Sequence, residues 1–394
     1  MNTEKSPYTA THGGEDSPAG PMPRHAILVH DWLTGMRGGE KVLESFCRLF
    51  ERAPIFTLVG NAAAVSETIA SHPIKTSYLQ RLPNAMKHYR NFLPLYSNAI
   101  ESLRLPDCDL VLSSSHAVAK GVRPPSNALH ISYVHTPMRY VWDMFEAYFA
   151  KELVGSSKRA VARAVAASLR RWDVRTASRV HRFIANSENV RERIQRHYNR
   201  DAEVIYPPVD TGRFSASSSD EGYYLVLSAL VPYKRVDLAI QAATKLDVPL
   251  QVVGTGPEEA KLRRLAGDKV SFRGWASDSE IAGYYRGCKG LLFPGEEDFG
   301  IVPVEAMASG KPVIAFGKGG ALETVIDGTT GVHFAEQTVD SLAAAMETAE
   351  RTQWDAEQIR RHALAFDTAV FERRISEFIS QRWDEWRRGD MKVL

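Results

Sequence analysis

At 394 residues, with 44% hydrophobic and 24% charged side chains, the chain has an ordinary globular balance and length for two domains of about 100–200 residues each. It holds no apolar run near the roughly 20 residues that cross a bilayer, which excludes a helical membrane span. The net charge of +2 hides an asymmetry: residues 1–206 carry 27 Lys/Arg against 19 Asp/Glu, and residues 207–370 carry 16 against 23.

Residues 1–23 are polar, rich in Gly, Pro, Ser and Thr, and lack an apolar core segment, so they read as a disordered leader and not a secretion signal. Short β-rich apolar runs then alternate with helical periodicity. Strands are expected at 25–30, 109–113, 129–134 and 182–185, and again at 223–228, 249–253, 270–272, 290–293 and 312–316. A helix is expected at 40–50, with Val42, Leu43, Phe46, Leu49 and Phe50 on one face. Such alternation predicts two mainly parallel, doubly wound α/β sheets with right-handed crossovers.

Between the sets stands Tyr206-Pro207-Pro208-Val209-Asp210, followed by a Ser-rich stretch at 215–219. A proline pair resists both helix and sheet interior, so this is the expected linker. The domains are then 24–207 and 208–368, and a cleft is expected where the C-terminal ends of the two sheets meet. Cys47, Cys108 and Cys288 are odd in number and widely spaced, which gives neither a disulfide framework nor a zinc pattern and fits a reducing cytoplasm.

The basic excess concentrates in 151–200, with 13 basic and 4 acidic residues, and suits an anionic membrane surface or a phosphate-bearing acceptor. No recognition motif accompanies it, so no nucleic-acid partner is expected. Helical phase groups Arg159, Arg163 and Arg170 on one side of 157–172 and Val161, Val165, Leu169 and Trp172 on the other, with a break or turn beyond Asp173. The stretch 78–105 mixes aromatics and leucines with Arg81, Lys87, His88 and Arg90, a pattern suited to an interfacial docking surface.

The densest chemistry lies at 290–316. A buried strand ends at Pro294, Glu296, Glu297 and Asp298 crowd the loop after it, Pro303 suits a helix start and Gly310 a helix end. Free N–H groups at that helix start favour a phosphate or sugar oxygen, and the carboxylates accept bonds from sugar hydroxyls. Gly254-Thr255-Gly256 opens a dinucleotide fingerprint, but the third glycine position is Glu259, so a nicotinamide dehydrogenase is disfavoured.

Glu297 and Glu305, separated by seven residues, resemble the E-x7-E signature of the retaining group-1 glycosyltransferases of family four. Val252 to Glu258, Leu230 to Leu238, Val204 to Asp210 and Ala185-Asn186-Ser187 resemble further motifs of that family in its order. The resemblance implies a GT-B fold: two Rossmann-like domains facing a cleft, with a C-terminal helix at about 369–394 packing back on the first. It implies a nucleotide-sugar donor, with Glu305 on the ribose, Glu297 on the donor sugar, Phe299, Gly300 and Ile301 offering the α-helical N-terminus, and Arg273-Gly274 beside the base. Lys234 would neutralise the departing diphosphate, His135 would contact the transferred sugar, and Gly38-Gly39 would face the donor.

Two positions depart from the family pattern. Ala229 stands where an Arg is usual, with Arg235 a candidate substitute, and Asp298-Phe299-Gly300 stands for Gly-Phe-Gly. No Asp-x-Asp motif is read in the sequence, so neither a metal nor a cofactor is expected. Tyr133 to Tyr148, with Arg139, Tyr140 and Trp142 on the acceptor side, resembles a subgroup acting in O-antigen and exopolysaccharide assembly. That implies mannose from GDP-mannose and a polyprenyl-diphosphate-linked glycan at the inner membrane face. A UDP-sugar transferase, an epimerase or hydrolase of the same fold, and a non-catalytic nucleotide-sugar binder are the alternatives.

Overall fold

The run Ala-Ile-Leu-Val-His at 26–30 is buried at every position, the signature of a central parallel strand covered on both faces. It forms β1 (Ala26–His30) of a seven-stranded parallel sheet in the computed structural model, which describes residues 21–148 and 155–391. The sheet adds β2 (Ile55–Thr57), β3 (Ile74–Thr76), β4 (Leu110–Ser115), β5 (Leu129–Val134), β6 (Arg182–Ala185) and β7 (Ala202–Val204), in the order β3-β2-β1-β4-β5-β6-β7. The second sheet comprises β8 (Tyr223–Leu227), β9 (Leu250–Val253), β10 (Val270–Gly274), β11 (Cys288–Phe293), β12 (Val313–Phe316) and β13 (Gly331–Phe334), in the order β10-β9-β8-β11-β12-β13. Strand order reverses between β1 and β4 and between β8 and β11. In open α/β sheets ligands enter at such switch points, beyond the strands' C-terminal ends.

All nine expected runs fall on strands. The short strands β2, β3, β7 and β13 were not anticipated. With three residues each, β2, β3 and β7 offer too few positions for a periodic signal, and β13 holds Gly331 and His333 among its four.

The helices that bear on the site are α1 (Gly38–Leu49), α2 (Ser156–Ala177), α3 (Glu188–Tyr198), α4 (Val236–Lys245), α5 (Asp278–Gly287), α6 (Ile301–Ala308) and α7 (Thr368–Arg388). α7 places Phe371, Ile375 and Ile379 at four-residue spacing into the first domain's core, with Phe371 stacked on Phe46 at 6.1 Å and edge-on to Tyr133 at 5.8 Å. Burying such side chains contributes roughly 1.5–3 kcal/mol each. The chain therefore crosses between domains twice, and the crossings run together: Val209 N–H donates to Phe366 O at 3.0 Å, and Thr368 N–H to Val209 O at 3.1 Å.

The break expected beyond Asp173 does not occur, because α2 continues to Ala177. Asp173 is fully buried, and its carboxylate accepts from Trp142 Nε1 and Tyr198 Oη at 2.9 Å each while pairing with buried Lys120 at 2.8 Å. An inward acid with three partners is a helix anchor. The apolar side is also narrower than expected: Leu169 and Trp172 are buried, but Val161 is 64% exposed. On the basic side Arg159 and Arg163 pair with Glu146, and Arg170 Nε donates to Val141 O at 2.6 Å.

All three cysteines are free and buried, and burial pushes the Cys47 and Cys288 thiols up to about 12. They are inert packing residues. The leader falls mostly outside the described residues.

Candidate active site

The second domain's wall is built by two loops that leave the C-terminal ends of β8 and β11. After β8, a turn at Pro232–Lys234 passes through Arg235 in the left-handed region (φ 50°) and enters α4. After β11, the chain crosses this turn at Gly295, where a side chain's Cβ would lie 3.0 Å from Lys234 Cα. That close approach lets Lys234 Nζ donate to Glu297 Oε1 in an ion pair.

The first domain reaches the same carboxylates. Arg139 Nη2 lies 3.7 Å from Glu297 Oε2 and 2.6 Å from Asp298 Oδ2, and its Nε donates to Asp298 Oδ2 at 2.7 Å. The other Asp298 oxygen takes Arg193 and, at 3.2 Å, Asn189 Nδ2, both from α3. Arg193 also donates from Nε to Asp143 at 3.1 Å, and Asp143 is held well below the usual carboxylate range by its bonds to His197 and Arg193. Glu323, from the second domain, accepts the α3 amides of Glu188 and Asn189 at 2.7 and 3.0 Å. Arg139, Asp143, Asn189, Arg193, Glu297, Asp298 and Glu323 line a cleft of about 750 Å³ between the domains.

Glu305 sits one turn into α6, accepting from Tyr285 Oη at 2.9 Å. Burial raises its carboxyl to about 7, while the Tyr285 hydroxyl, Arg213 and Lys41 pull the other way. Because the folded state holds this proton more tightly than an unfolded glutamate, stability falls as pH rises through the window from about 4.5 to 7. Glu305→Gln removes the ionisation. It is expected to match the parent's Tm at pH 5 and exceed it at pH 8, as scanning calorimetry would read; an equal difference at both pH values would exclude a raised carboxyl.

The first domain's floor gathers groups at three strand ends. His135 follows β5, half-buried, with Nε2 2.8 Å from Ser114 Oγ, and burial beside His116 and His30 holds it well below the usual imidazole range. His30 Nδ1 is 3.1 Å from the same Ser114 Oγ. Asp31 accepts the backbone amides of His116, Ala117, Val118 and Ala119 at 2.6–2.9 Å, and its Oδ2 lies 3.2 Å from His116 Nδ1. Over this cluster lies Gly39, whose added Cβ would meet His30 at 3.4 Å and His135 at 3.6 Å. A Cβ on Gly38 would approach Ile301 Cδ1 of α6 to 2.8 Å. The two domains meet there, with the tip of the Ile301 side chain facing the Gly38 backbone.

Of the residues expected at the site, Lys234 and Glu297 pair, Arg139 joins them from across the cleft, and Gly38 touches Ile301. Glu305 lies beneath, beside Tyr285 rather than Lys234. Phe299 is buried against Tyr206 and Phe366, so only its backbone is available, and Gly300 turns into α6 with φ 89°. Arg235 lines the cleft and forks onto Asp237 at 3.2 Å through Nε and Nη2. Arg273 is exposed with Nε 3.3 Å from Gln251, Gly274 closes β10, and Trp275 beyond it is 77% exposed. Tyr140 and Trp142 belong to the first domain's own packing; Trp142 stacks on His197 at 4.4 Å.

Asp31, His30, His116, Asp143, Arg193 and Glu323 were missed by sequence reasoning. The first three shared a legible signal, since each ends or follows a central strand. One sequence reading needs correction: Asp107-Cys108-Asp109 is an Asp-x-Asp. It precedes β4 at the sheet's opposite end, where Asp109 accepts the amides of Arg24 and His25 at 3.0 and 2.9 Å. Glycines 254 and 256 answer to packing, because a Cβ would lie 1.9 Å from Ser228 O and 2.3 Å from Leu230 O.

The profile described as "Glycosyltransferase Family 4" matches residues 36–213, and "Glycosyl transferases group 1" matches residues 211–365. The chain belongs to the group 1 glycosyltransferases. It is 32% identical over 174 residues to the GDP-mannose-dependent alpha-(1-6)-phosphatidylinositol monomannoside mannosyltransferase of Mycolicibacterium smegmatis, covering 36% of this chain and 46% of that one. It is also 32% identical over 156 residues to an uncharacterised glycosyltransferase of Methanocaldococcus jannaschii, covering 38% and 44%. The matched stretch thus spans less than half the length of these curated relatives. Among solved structures, Anabaena HepE in complex with UDP and glucose aligns with TM-score 0.67 at 20% identity over 91% of this chain and 100% of its own. Sucrose-phosphate synthase from Thermosynechococcus elongatus aligns with TM-score 0.67 at 18% identity over 91% and 99%. These likenesses establish the GT-B fold of this group 1 glycosyltransferase.

Proposed function

We propose that this group 1 glycosyltransferase moves a hexose, mannose from GDP-mannose, onto a lipid-linked glycan with retention of anomeric configuration. The observation that carries the reading is the Lys234–Glu297 pair at the cleft, where loops from β8 and β11 meet. The bond from the anomeric carbon to the β-phosphate oxygen breaks, leaving its electron pair on the diphosphate, and Lys234 takes up that charge. The acceptor hydroxyl attacks the same face and passes its proton to the departing phosphate. Glu297 accepts bonds from donor-sugar hydroxyls, Glu305 from the ribose, and half-buried, neutral His135 faces the transferred sugar. Lysine and arginine here supply countercharge of the kind a divalent ion brings elsewhere, so transfer is expected to survive EDTA treatment; loss restored by Mg²⁺ or Mn²⁺ would refute a metal-independent reaction.

GDP-mannose is favoured because the mycobacterial relative is a GDP-mannose-dependent mannosyltransferase. A UDP-hexose is the second reading, since HepE was solved with UDP and glucose. A thermal-shift panel of GDP, UDP, ADP and their sugars, followed by product analysis with and without acceptor, decides between them, because the ligand that binds the folded state raises its Tm. Appearance of free sugar or an epimer alone, whatever the acceptor, would replace the transferase reading.

A polyprenyl-diphosphate-linked acceptor puts the reaction at the inner face of the cytoplasmic membrane. No helix among the described residues is long and apolar enough to cross a membrane, so attachment would be peripheral. Exposed Tyr78 and Leu95 flank exposed Lys87, His88 and Arg90, which supports a docking face for anionic lipid. Binding to vesicles containing anionic lipid is expected to weaken as salt rises. Absent or salt-indifferent binding would dismiss the membrane face.

A further inference from the structure

We propose that Arg139, from the first domain, is a catalytic residue acting on the donor's diphosphate, brought to it across the cleft by Asp298. The inference rests on the reading of Lys234 as a diphosphate cation. Glu297 shares its two oxygens between cations of opposite domains: Lys234 on Oε1 and Arg139 at 3.7 Å from Oε2. A single carboxylate bridged in this way is the internal counter-ion of the cleft. Cations that reach opposite oxygens of one carboxylate are also spaced to reach neighbouring phosphoryl groups, and a planar guanidinium suits phosphate oxygens better than an ammonium does.

Ala229 carries no charge, and the second domain's other cations in the cleft are paired elsewhere, Arg235 with Asp237 and Lys318 with Glu296. Arg139 does not hang free in the cleft: Asp298 takes its Nε and Nη2 at 2.7 and 2.6 Å, and Arg193 and Asn189 fix Asp298 in turn. Asp298 is thus a positioning residue. When the donor's anomeric C–O bond breaks and the electron pair moves to the β-phosphate, Lys234 meets that charge from one domain and Arg139 from the other. Full countercharge then exists only while the domains are together, which ties departure of the leaving group to closure.

Calorimetric titration of GDP, UDP and ADP and of the matching monophosphates tests this. Arg139→Ala is expected to lose at least tenfold in affinity for the diphosphate that the parent binds and nothing for its monophosphate, with Arg139→Lys in between. Asp298→Asn should act in the same direction more weakly, and the double variant Arg139→Ala/Asp298→Asn should bind no worse than Arg139→Ala alone. If Arg139→Ala binds the diphosphate like the parent while Lys234→Ala does not, the role of Arg139 falls and the site reading stands. Equal weakening of mono- and diphosphate would make Arg139 a mere strut between domains and overturn the proposal. If the parent binds no diphosphate, or Lys234→Ala binds it unchanged, the underlying reading of the site fails.

Discussion

Lys234→Ala is expected to lower kcat for sugar transfer by about 10²–10³-fold, the usual effect of removing one group that meets charge developing in the transition state. The folded state should hardly notice. Lys234 is on a turn at the cleft's edge, and Glu297 keeps Arg139 within 3.7 Å after the change. Lys234→Arg should recover part of the rate, because the charge survives on a longer and flatter head. Rate assays with saturating donor, beside a thermal melt of each variant, would check both halves. A wild-type rate for Lys234→Ala would remove the ion pair from the chemistry altogether.

The largest loss of stability is expected from Asp173→Ala. Lys120 is buried to 1% exposure, and its ammonium forms an ion pair with Asp173 Oδ1 at 2.8 Å and donates to Asp173 O at 2.7 Å and Thr176 Oγ1 at 3.2 Å. Removing one partner of such a pair leaves an uncompensated charge in a low-dielectric interior and costs about 3–5 kcal/mol. Trp142 Nε1 and Tyr198 Oη lose their acceptor in the same stroke. Replacing both members with apolar residues of similar size, Lys120→Met with Asp173→Leu, should recover much of the loss. Urea denaturation curves would measure both. A double variant as weak as Asp173→Ala would mean that packing and the orphaned hydroxyl and indole, rather than the stranded ammonium, set the cost.

The alternation of strands and helices was legible because β1, β4, β5, β8, β11 and β12 are central and buried, and so appear as unbroken apolar runs. Lys234, Glu297 and Glu305 were legible because motif spacing fixes them within one domain. What escaped was whatever depends on two distant segments meeting. Arg139 and Asp298 lie 159 positions apart, and nothing in either neighbourhood announces the other. Arg139 was placed on the acceptor side by its resemblance to a subgroup, and its bond to Asp298 was not foreseen. The same holds for Asp173, whose charge within a helix reads as exposed until Lys120 is seen beneath it. His30 and His116 could have been read, since strand ends at a switch point are where ligands gather.

The helix α7 is made after the whole second domain, yet Phe371, Ile375 and Ile379 complete the core around Phe46 and Tyr133 of the first. During synthesis, then, the first domain waits with an apolar furrow open while some 160 residues of its neighbour emerge at roughly 5–20 residues per second. That furrow closes only once α7 has been made, so the domain begun first is the one finished last.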